Sequence, residues 1–406
     1  MQQDTIRIAL QKLGHWSPGE KVLGPRLGTG GSYDGIFLWD TAFTVLWAKY
    51  HMSELPVERS LDNLYRFQDD DGFICREYTA DGYPVWPKHH PISFAPPVLA
   101  WAELDLYALT GDKERLHRVY PHLKKHHRYC ADCFRKEDGL FIGDPWGSGM
   151  DNLPRWPHEF GGTDKCLTIQ EEEVHPSVVE WFRKDVYNSL GSAWNQQGRY
   201  IDMSAQMAFN ADCLSKIATV LEVVGDAQMY SLEHAAIGDT INEYCWNDTH
   251  KFYFDLGYGI QIPRFHVGAY WALIARIVPQ DRLDGFLSHL KNPNKFARPV
   301  PVPSLAYDDP DYRPDGGYWR GSSWPPTTYM VLRGLRIVDA EDLARTLAAK
   351  YIEAVHSVFI STGTFWENLA PESHAPGKPA GRDFCGWAGL GPVAIVKEFK
   401  NQNNLT

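Results

Sequence analysis

Two acidic residues stand where a carboxyl group could do acid–base work. Asp151 lies in Trp146-Gly147-Ser148-Gly149-Met150-Asp151-Asn152-Leu153-Pro154-Arg155-Trp156, held among glycines and flanked by tryptophans. Glycine permits tight turns and bulky aromatics limit water, so a carboxyl there can stay protonated as a general acid. Glu367 lies in Thr364-Phe365-Trp366-Glu367-Asn368-Leu369-Ala370-Pro371-Glu372 and is a candidate general base. Glu372 is its local competitor, in a Pro-Glu-Ser-His setting that reads as more exposed. The plain alternatives are a loop Asp capping a turn and a solvated loop Glu, and neither motif alone excludes them.

Two further clusters put aromatic rings beside polar groups. In Tyr33-Asp34-Gly35-Ile36-Phe37-Leu38-Trp39-Asp40, Asp40 opens an apolar helical run. N-capping is the simple reading of Asp40. The functional one sets Trp39 and Asp40, with Tyr33, at a mouth that holds hydroxyls and a ring face. Asp315-Gly316-Gly317-Tyr318-Trp319-Arg320-Gly321-Ser322-Ser323-Trp324 precedes a helix. Packing alone would account for Trp319 and Trp324. With Arg320 beside them they suit a polar ligand with a flat apolar face. Aromatics next to carboxylates form carbohydrate sites, because sugar C–H faces stack on rings while carboxylates, Asn and Arg take hydroxyls. Cleaving a glycosidic bond then needs two carboxyls, one to protonate the leaving oxygen and one to act as nucleophile or activate water. That chemistry needs no cofactor or metal.

These residues need a scaffold. The 406 residues carry 15 Trp, 20 Tyr and 19 Phe and are 44% hydrophobic, enough for a large core. Apolar residues recur at helical spacing over about 4–14, 39–51, 57–68, 96–110, 112–134, 202–224, 227–246, 266–276, 279–290, 323–336, 339–358 and 384–398. Strand-like alternation is brief, as at Lys251–Asp255. Thr110-Gly111-Asp112 and Val224-Gly225-Asp226 read as turns inside helix pairs. The chain therefore reads as all-α, a closed ring or solenoid of helix hairpins. Length alone suggests two or three domains. No low-complexity linker divides the chain, however, so one domain over 1–406 is expected, with a lid or insertion at about 153–200. Long segments rich in Gly, Pro and aromatics separate helices at 15–38, 69–95, 137–165, 292–322 and 360–383. Gathered at one end of a ring they would form an aromatic mouth, bringing in Trp86 and His89 from the second of them.

Composition narrows the partners. Lys and Arg total 40 against 51 Asp and Glu, a net charge of -11. That is not the basic footprint of a nucleic-acid binder or of a helix on an anionic membrane. No run approaches the ~20 apolar residues of a membrane span, and the N-terminus has no signal-type apolar core. The seven cysteines are scattered, and the pair Cys130/Cys133 lies in a helical stretch without a second ligand pair, so it reads as helix surface. A reducing compartment, the cytoplasm, is expected. Nothing in the sequence speaks to oligomeric state.

At these motifs the chain resembles the (α/α)6-barrel glycosidases: the α-glucosidases of glycoside hydrolase family 63, the mannosylglycerate and glucosylglycerate hydrolases and, more distantly, the trehalases. Phe37-Leu38-Trp39-Asp40 resembles the family's first Trp-Asp element, and Asp70-Asp71-Gly72-Phe73 its Asp-Gly-Phe/Met segment. Gly147 to Asn152 resembles the motif in which the general acid falls on Asp151. Asp202 to Gln206 resembles the Asp-x-x-x-Gln start of a core helix. Tyr318-Trp319-Arg320-Gly321 with Trp324, Phe365-Trp366-Glu367-Asn368 and Gly386-Trp387-Ala388-Gly389 follow in the family order. The resemblance implies an inverting mechanism, with Asp151 as acid and Glu367 as base. Asn152, Gln206 and Trp366 would then join Tyr33, Trp39, Asp40, Trp86, His89, Trp319, Arg320 and Trp324 in binding substrate. It also implies a small soluble α-linked glucoside or mannoside, including sugar–glycerate conjugates, because the chain begins almost at the barrel.

The pattern has departures. Ala95 stands where relatives usually carry Gln, which leaves the −1 sugar open, and Gly147 stands where they often carry Glu. Pro371 sits one residue later than in many relatives. Two rivals remain. A sugar epimerase or isomerase of the same fold would use paired His, for which His89-His90 and His266 are available among 16 His. Lys88-His89-His90 could equally bind an anionic aglycone. The other rival is a non-catalytic sugar-binding protein.

Overall fold

The computed structural model describes residues 1–12, 25–31, 33–155 and 198–400. Most of the expected lid therefore lies outside the described residues, as does Trp156. Among the described residues twelve α-helical segments follow one another. They are α1 (Gln2–Lys12), α2 (Leu38–Ala48), α3 (Val57–Arg66), α4 (Leu99–Thr110), α5 (Lys113–Phe134), α6 (Ile201–Val220), α7 (Val224–Tyr244), α8 (Trp271–Ile274), α9 (Gln280–Lys291), α10 (Pro325–Ile337), α11 (Glu341–Thr362) and α12 (Val396–Phe399).

They alternate between an outer and an inner layer. The inner helices α2, α4, α6, α8 and α10 each touch the next, and the segment Trp387–Phe399 touches both α10 and α2, which closes the ring. Burial follows the layer. Every residue of α2 and α8 is buried, as expected of a helix that is apolar all round. Outer α11 buries only a stripe, Ala344, Leu347, Ala348, Tyr351, Ala354, Val355 and Val358. Trp101 of α4 plugs the axis, with ring centroids 5.4 to 6.4 Å from Phe43, Phe209, Trp271 and Tyr329 on four other inner helices. This is the (α/α)6 toroid.

Four details differ from the sequence reading. The turn expected at Val224-Gly225-Asp226 comes earlier. Glu222 takes the left-handed conformation (φ 62°) and Val223 N–H bonds to Ala218 O, so α7 starts at Val224 and Gly225 is not needed as a breaker. Residues 266–276 are a 3₁₀ turn, Val267–Tyr270, before the single turn α8. Residues 384–398 pass through a 3₁₀ turn (Trp387–Leu390) and a π turn (Gly391–Ile395) before α12. Here the backbone runs against a ring: a Cβ on Gly389 would lie 2.3 Å from Trp47. By contrast, Gly111 ends α4 in the left-handed region (φ 69°) as read from sequence. Cys130 is buried rather than on the helix surface.

The short strands are connectors. β1 (Ile36–Phe37) pairs antiparallel with β2 (Glu77–Tyr78), setting Phe37 opposite Glu77. β3 (Gly198–Arg199), β6 (Asp255–Gly257) and β7 (Ile260–Ile262) form a second sheet, and β4 (Trp246–Asn247) with β5 (Phe252–Tyr253) a third.

At the far end of the inner helices, about 15 Å along α2 from Trp39 by helical rise, a polar network ties four elements together. Asp105 of α4 accepts from Lys49 and from Arg333 of α10 at 2.9 and 3.1 Å. Glu398 of α12 accepts from Tyr50 at 2.9 Å, Tyr329 at 2.7 Å and Arg333 at 3.4 Å.

Candidate active site

The loops at the N-terminal ends of the inner helices enclose a cavity of about 570 Å³. Trp39, Trp86, Trp146, Trp319 and Trp387 supply apolar faces, and Asp40, Glu77, Asp151 and Glu367 supply carboxyls. Arg76 is the sole cationic side chain among its described lining residues, and no His lines it among them.

The Asp151 loop is shaped by its own sequence. Asp144 accepts from the N–H groups of Trp146 and Gly147 at 2.8 and 3.2 Å, an Asx turn. Ser148 donates to Pro145 O and accepts from Met150 N–H. Gly149 has φ +75° and lies against Trp39, where a Cβ would come within 2.4 Å of the indole. Only glycine meets both demands. A Cβ on Gly147 would lie 2.4 Å from Pro91 O, so the loop holding Ala95 closes on it directly. Asn152 bridges onward, donating to Gly317 O at 3.1 Å and accepting from Trp319 N–H at 2.9 Å.

Glu367 is held differently. Its Oε1 accepts from Tyr318 at 3.1 Å and Tyr33 at 3.3 Å, and its Oε2 from Gly381 N–H at 2.8 Å. Its own carbonyl takes the Trp387 indole N–H at 2.9 Å. Tyr318 reaches it from a left-handed backbone (φ 65°), a conformation costly for a bulky residue and set up by Gly316 and Gly317 before it.

Burial raises both carboxyls, and they differ in what opposes it. Burial pushes the Asp151 carboxyl up to about 7; Arg76 opposes the rise and the charge of Glu367 adds to it. Asp151 is half-buried because it faces the open cavity, but protein encloses its other sides. Among the described residues no hydrogen-bond donor reaches its carboxyl. Burial also raises Glu367, but three donors oppose that by stabilising its charged form. Asp40 is raised well above the carboxylate range, first by burial and then by the charge of Glu367. Both carboxyls are thus raised by burial, and only at Glu367 do hydrogen-bond donors among the described residues oppose the rise.

Several expected site residues fall elsewhere, for physical reasons. Asp40 does line the cavity, with Phe37 rather than Asp40 at the N-cap of α2. Trp324 is fully buried and stacks behind Trp319 at 4.0 Å, supporting that ring without reaching the cavity. Trp366 precedes Glu367 in extended backbone, so its side chain points the other way, to Thr362 at 3.0 Å. Gln206 is buried one turn deeper than the first turn of α6, and neither amide atom has a partner among the described residues. His89 is exposed and bonded to Tyr129, and Lys88 pairs with Asp69 and Asp71. The expected Lys88-His89-His90 anion site is therefore not at the cavity. Asn152 and Arg320 line a separate open groove with Arg313 and Lys378, and Arg320 is tied to Asp311. Glu372 is not a free loop residue: Arg298 grips both its oxygens and Tyr312 donates to it.

Sequence reading missed Arg76 and Glu77, because β2 looked like loop. The guanidinium of Arg76 lies 4.3 Å over the Trp86 ring and donates to Trp146 O on the Asp151 loop. Glu77 accepts from the Trp86 indole at 2.7 Å. Pairing of Glu77 with Phe37 and the bond from Leu38 N–H to Arg76 O bring this stretch to the cavity, and a two-residue strand has too little alternation to be read from sequence.

The family described as the mannosylglycerate hydrolase MGH1-like glycoside hydrolase domain matches residues 33–387. An uncharacterized protein of Borreliella burgdorferi is 24% identical over 332 residues, 80% of this chain but 62% of that protein. A mannosylglycerate hydrolase of Thermus thermophilus is 26% identical over 368 residues, 79% of this chain and 86% of that one. The solved family 63 mannosylglycerate hydrolase of Thermus thermophilus in complex with Tris and D-glycerate superposes with a TM-score of 0.70 at 22% identity, covering 95% of this chain and 98% of that one. With the family matched from Tyr33, which donates to Glu367, to Trp387 beneath it, the chain belongs to the MGH1-like glycoside hydrolases of family 63.

Proposed function

We propose that this enzyme is an inverting hydrolase of a small α-linked glycoside, with Asp151 as general acid and Glu367 as general base. The observation that carries the reading is the contrast between the two carboxyls in one aromatic cavity. Asp151 is without donors among the described residues and raised to about 7, while Glu367 is held by three donors. Asp151 protonates the glycosidic oxygen; Glu367 takes a proton from water attacking the opposite face of the sugar. The cavity volume suits a disaccharide-sized ligand. The substrate class is an α-mannoside or α-glucoside with a small anionic aglycone of the glycerate type. Similarity to mannosylglycerate hydrolases supports it, and so does Arg76, the cation such an aglycone would meet at the cavity wall. Among the described residues no His lines the cavity, so none of them there offers the paired-His base of the isomerase alternative.

A screen of α-mannosides, α-glucosides and α-galactosides, including sugar–glycerate conjugates, tests this, with NMR of the first-formed sugar. The β-anomer is expected; an initial α-anomer would overturn the assignment.

The charges also set a pH profile. Asp151 must be protonated, so activity falls as pH rises through about 7. Glu367 must be ionised, so activity falls again on the acid side, and the two limbs belong to the interacting pair. Arg76→Gln removes the cation that holds Asp151 down. Measured on a glycoside with a neutral aglycone, its alkaline limb should move up by roughly one unit, and Arg76→Lys should restore it. An unmoved limb would remove Arg76 from this role.

A further inference from the structure

We infer that Arg155 is a positioning residue for the catalytic loop: clamped between Asp202 and Asp255, it holds the peptide carrying Asp151 against the ring. The inference rests on the assignment of Asp151 above.

Arg155 stands four residues after Asp151 and its side chain is wholly buried. One arm of its guanidinium bonds to Asp202, in the first turn of α6, and the other to Asp255 of β6 at 2.8 Å. The Tyr200 ring packs 4.1 Å beneath it. Both carboxylates are anchored in turn. Asp255 accepts from Ile201 N–H at 2.8 Å and meets His266 Nε2 at 3.2 Å, and Asp202 accepts from Met203 N–H at 3.0 Å. The unit comes near the Asp151 loop a second time, at Gly268: a Cβ built there would lie 2.9 Å from His266 Nδ1 and 3.0 Å from Met150 Cε, so both groups crowd that glycine. Met150 and Arg155 lie on either side of Asp151 in the chain.

The energetics favour a geometric role over a stabilising one. Burying a guanidinium and two carboxylates costs several kcal/mol per ion, and apolar replacements of such groups are often neutral or better. What this unit supplies is direction, since a fork with two fixed partners allows one placement of the loop. At the loop's other end the Asp144 turn does the same for Trp146 and Gly147, and the charge of Arg155 is felt at Asp144 as well. An acid whose proton must sit on one oxygen of the substrate depends on such placement: a 1 Å error costs roughly 10²-fold in rate.

The test uses Arg155→Met and Arg155→Lys in the full chain. Carboxyl ¹³C NMR follows the titration of Asp151, its signal identified as the one lost in Asp151→Asn, beside kcat and KM. In folded Arg155→Met the loosened loop admits water. The Asp151 titration should fall from about 7 toward the ordinary range by about one unit or more. Turnover should fall roughly 10²-fold with KM little changed, and Arg155→Lys should recover part of both. A purely structural residue would alter the unfolding midpoint and leave the titration where it was. Should Arg155→Met not fold, Asp255→Asn, which weakens one arm and keeps the other, is measured by the same criterion. A folded variant with unchanged titration and unchanged kcat overturns the inference. Full turnover by Asp151→Asn would instead overturn the assignment of the acid, while the titration still reports on the clamp.

Discussion

Asp151→Asn is expected to leave a folded, sugar-binding protein whose turnover falls roughly 10²–10⁴-fold. The substitution keeps the shape of the side chain and removes only its acidic proton. Since no donor reaches the carboxyl among the described residues, the amide displaces no hydrogen bond there. The loop's own contacts, through Asp144, Ser148, Asn152 and Gly149, remain. Glu367→Gln should lose activity on the same scale for the complementary reason, that an amide cannot take a proton from water. Its fold should survive too. With its oxygen toward Gly381 N–H, the amide nitrogen faces Tyr33 and Tyr318, whose hydroxyls can turn from donors into acceptors. Calorimetric binding of the substrate beside steady-state turnover checks both variants. Near-normal turnover by either would sink the two-carboxyl mechanism.

Asp105→Ala is expected to destabilise the protein by about 3–5 kcal/mol with little change in the cavity. Asp105 is nearly buried between Lys49 and Arg333. Those two cations overcome the effect of burial and hold its carboxyl at about 2 against an ordinary 3.8. Removing it leaves two largely buried cations to share Glu398. A carboxyl depressed on folding stabilises the fold at pH values above its unfolded pKa, and that contribution is lost as pH falls through its folded pKa. The wild-type advantage should therefore be full above about pH 4 and shrink toward pH 2, a loss on the order of 2 kcal/mol. Denaturant unfolding of both proteins across that window checks it. A constant difference from pH 4 to pH 2 would show that the Asp105 charge is not what ties α2, α4 and α10 together.

The tryptophans show where sequence reading stops. Helical periodicity located most helices of the ring to within a few residues, 266–276 and 384–398 excepted, because an inner helix must be apolar on all sides and an outer helix apolar along one stripe. Glycine spacing around Asp151 and the aromatic setting of Glu367 marked the two carboxyls. Trp39, Trp86, Trp146 and Trp319 line the cavity, as their motifs suggested. Trp324 and Trp366 carry equally suggestive neighbours and do not. Sequence distance cannot separate these cases: whether a ring faces the cavity depends on which side of an extended segment it occupies and on what stacks in front of it.

Local sequence specifies an alternation of helices, the long loops between them and a short roster of groups able to do acid–base chemistry. The tertiary structure decided which of those groups meet. Ring closure brings residue 33 to residue 367 and sets Glu77 in the same wall as Asp40, while Arg298 draws Glu372 away. It also decided their surroundings: among the described residues no donor opposes the effect of burial at Asp151, whereas three donors oppose it at Glu367. Burial and hydrogen bonding are properties of a neighbourhood assembled from distant parts of the chain, so no local stretch of sequence contains them.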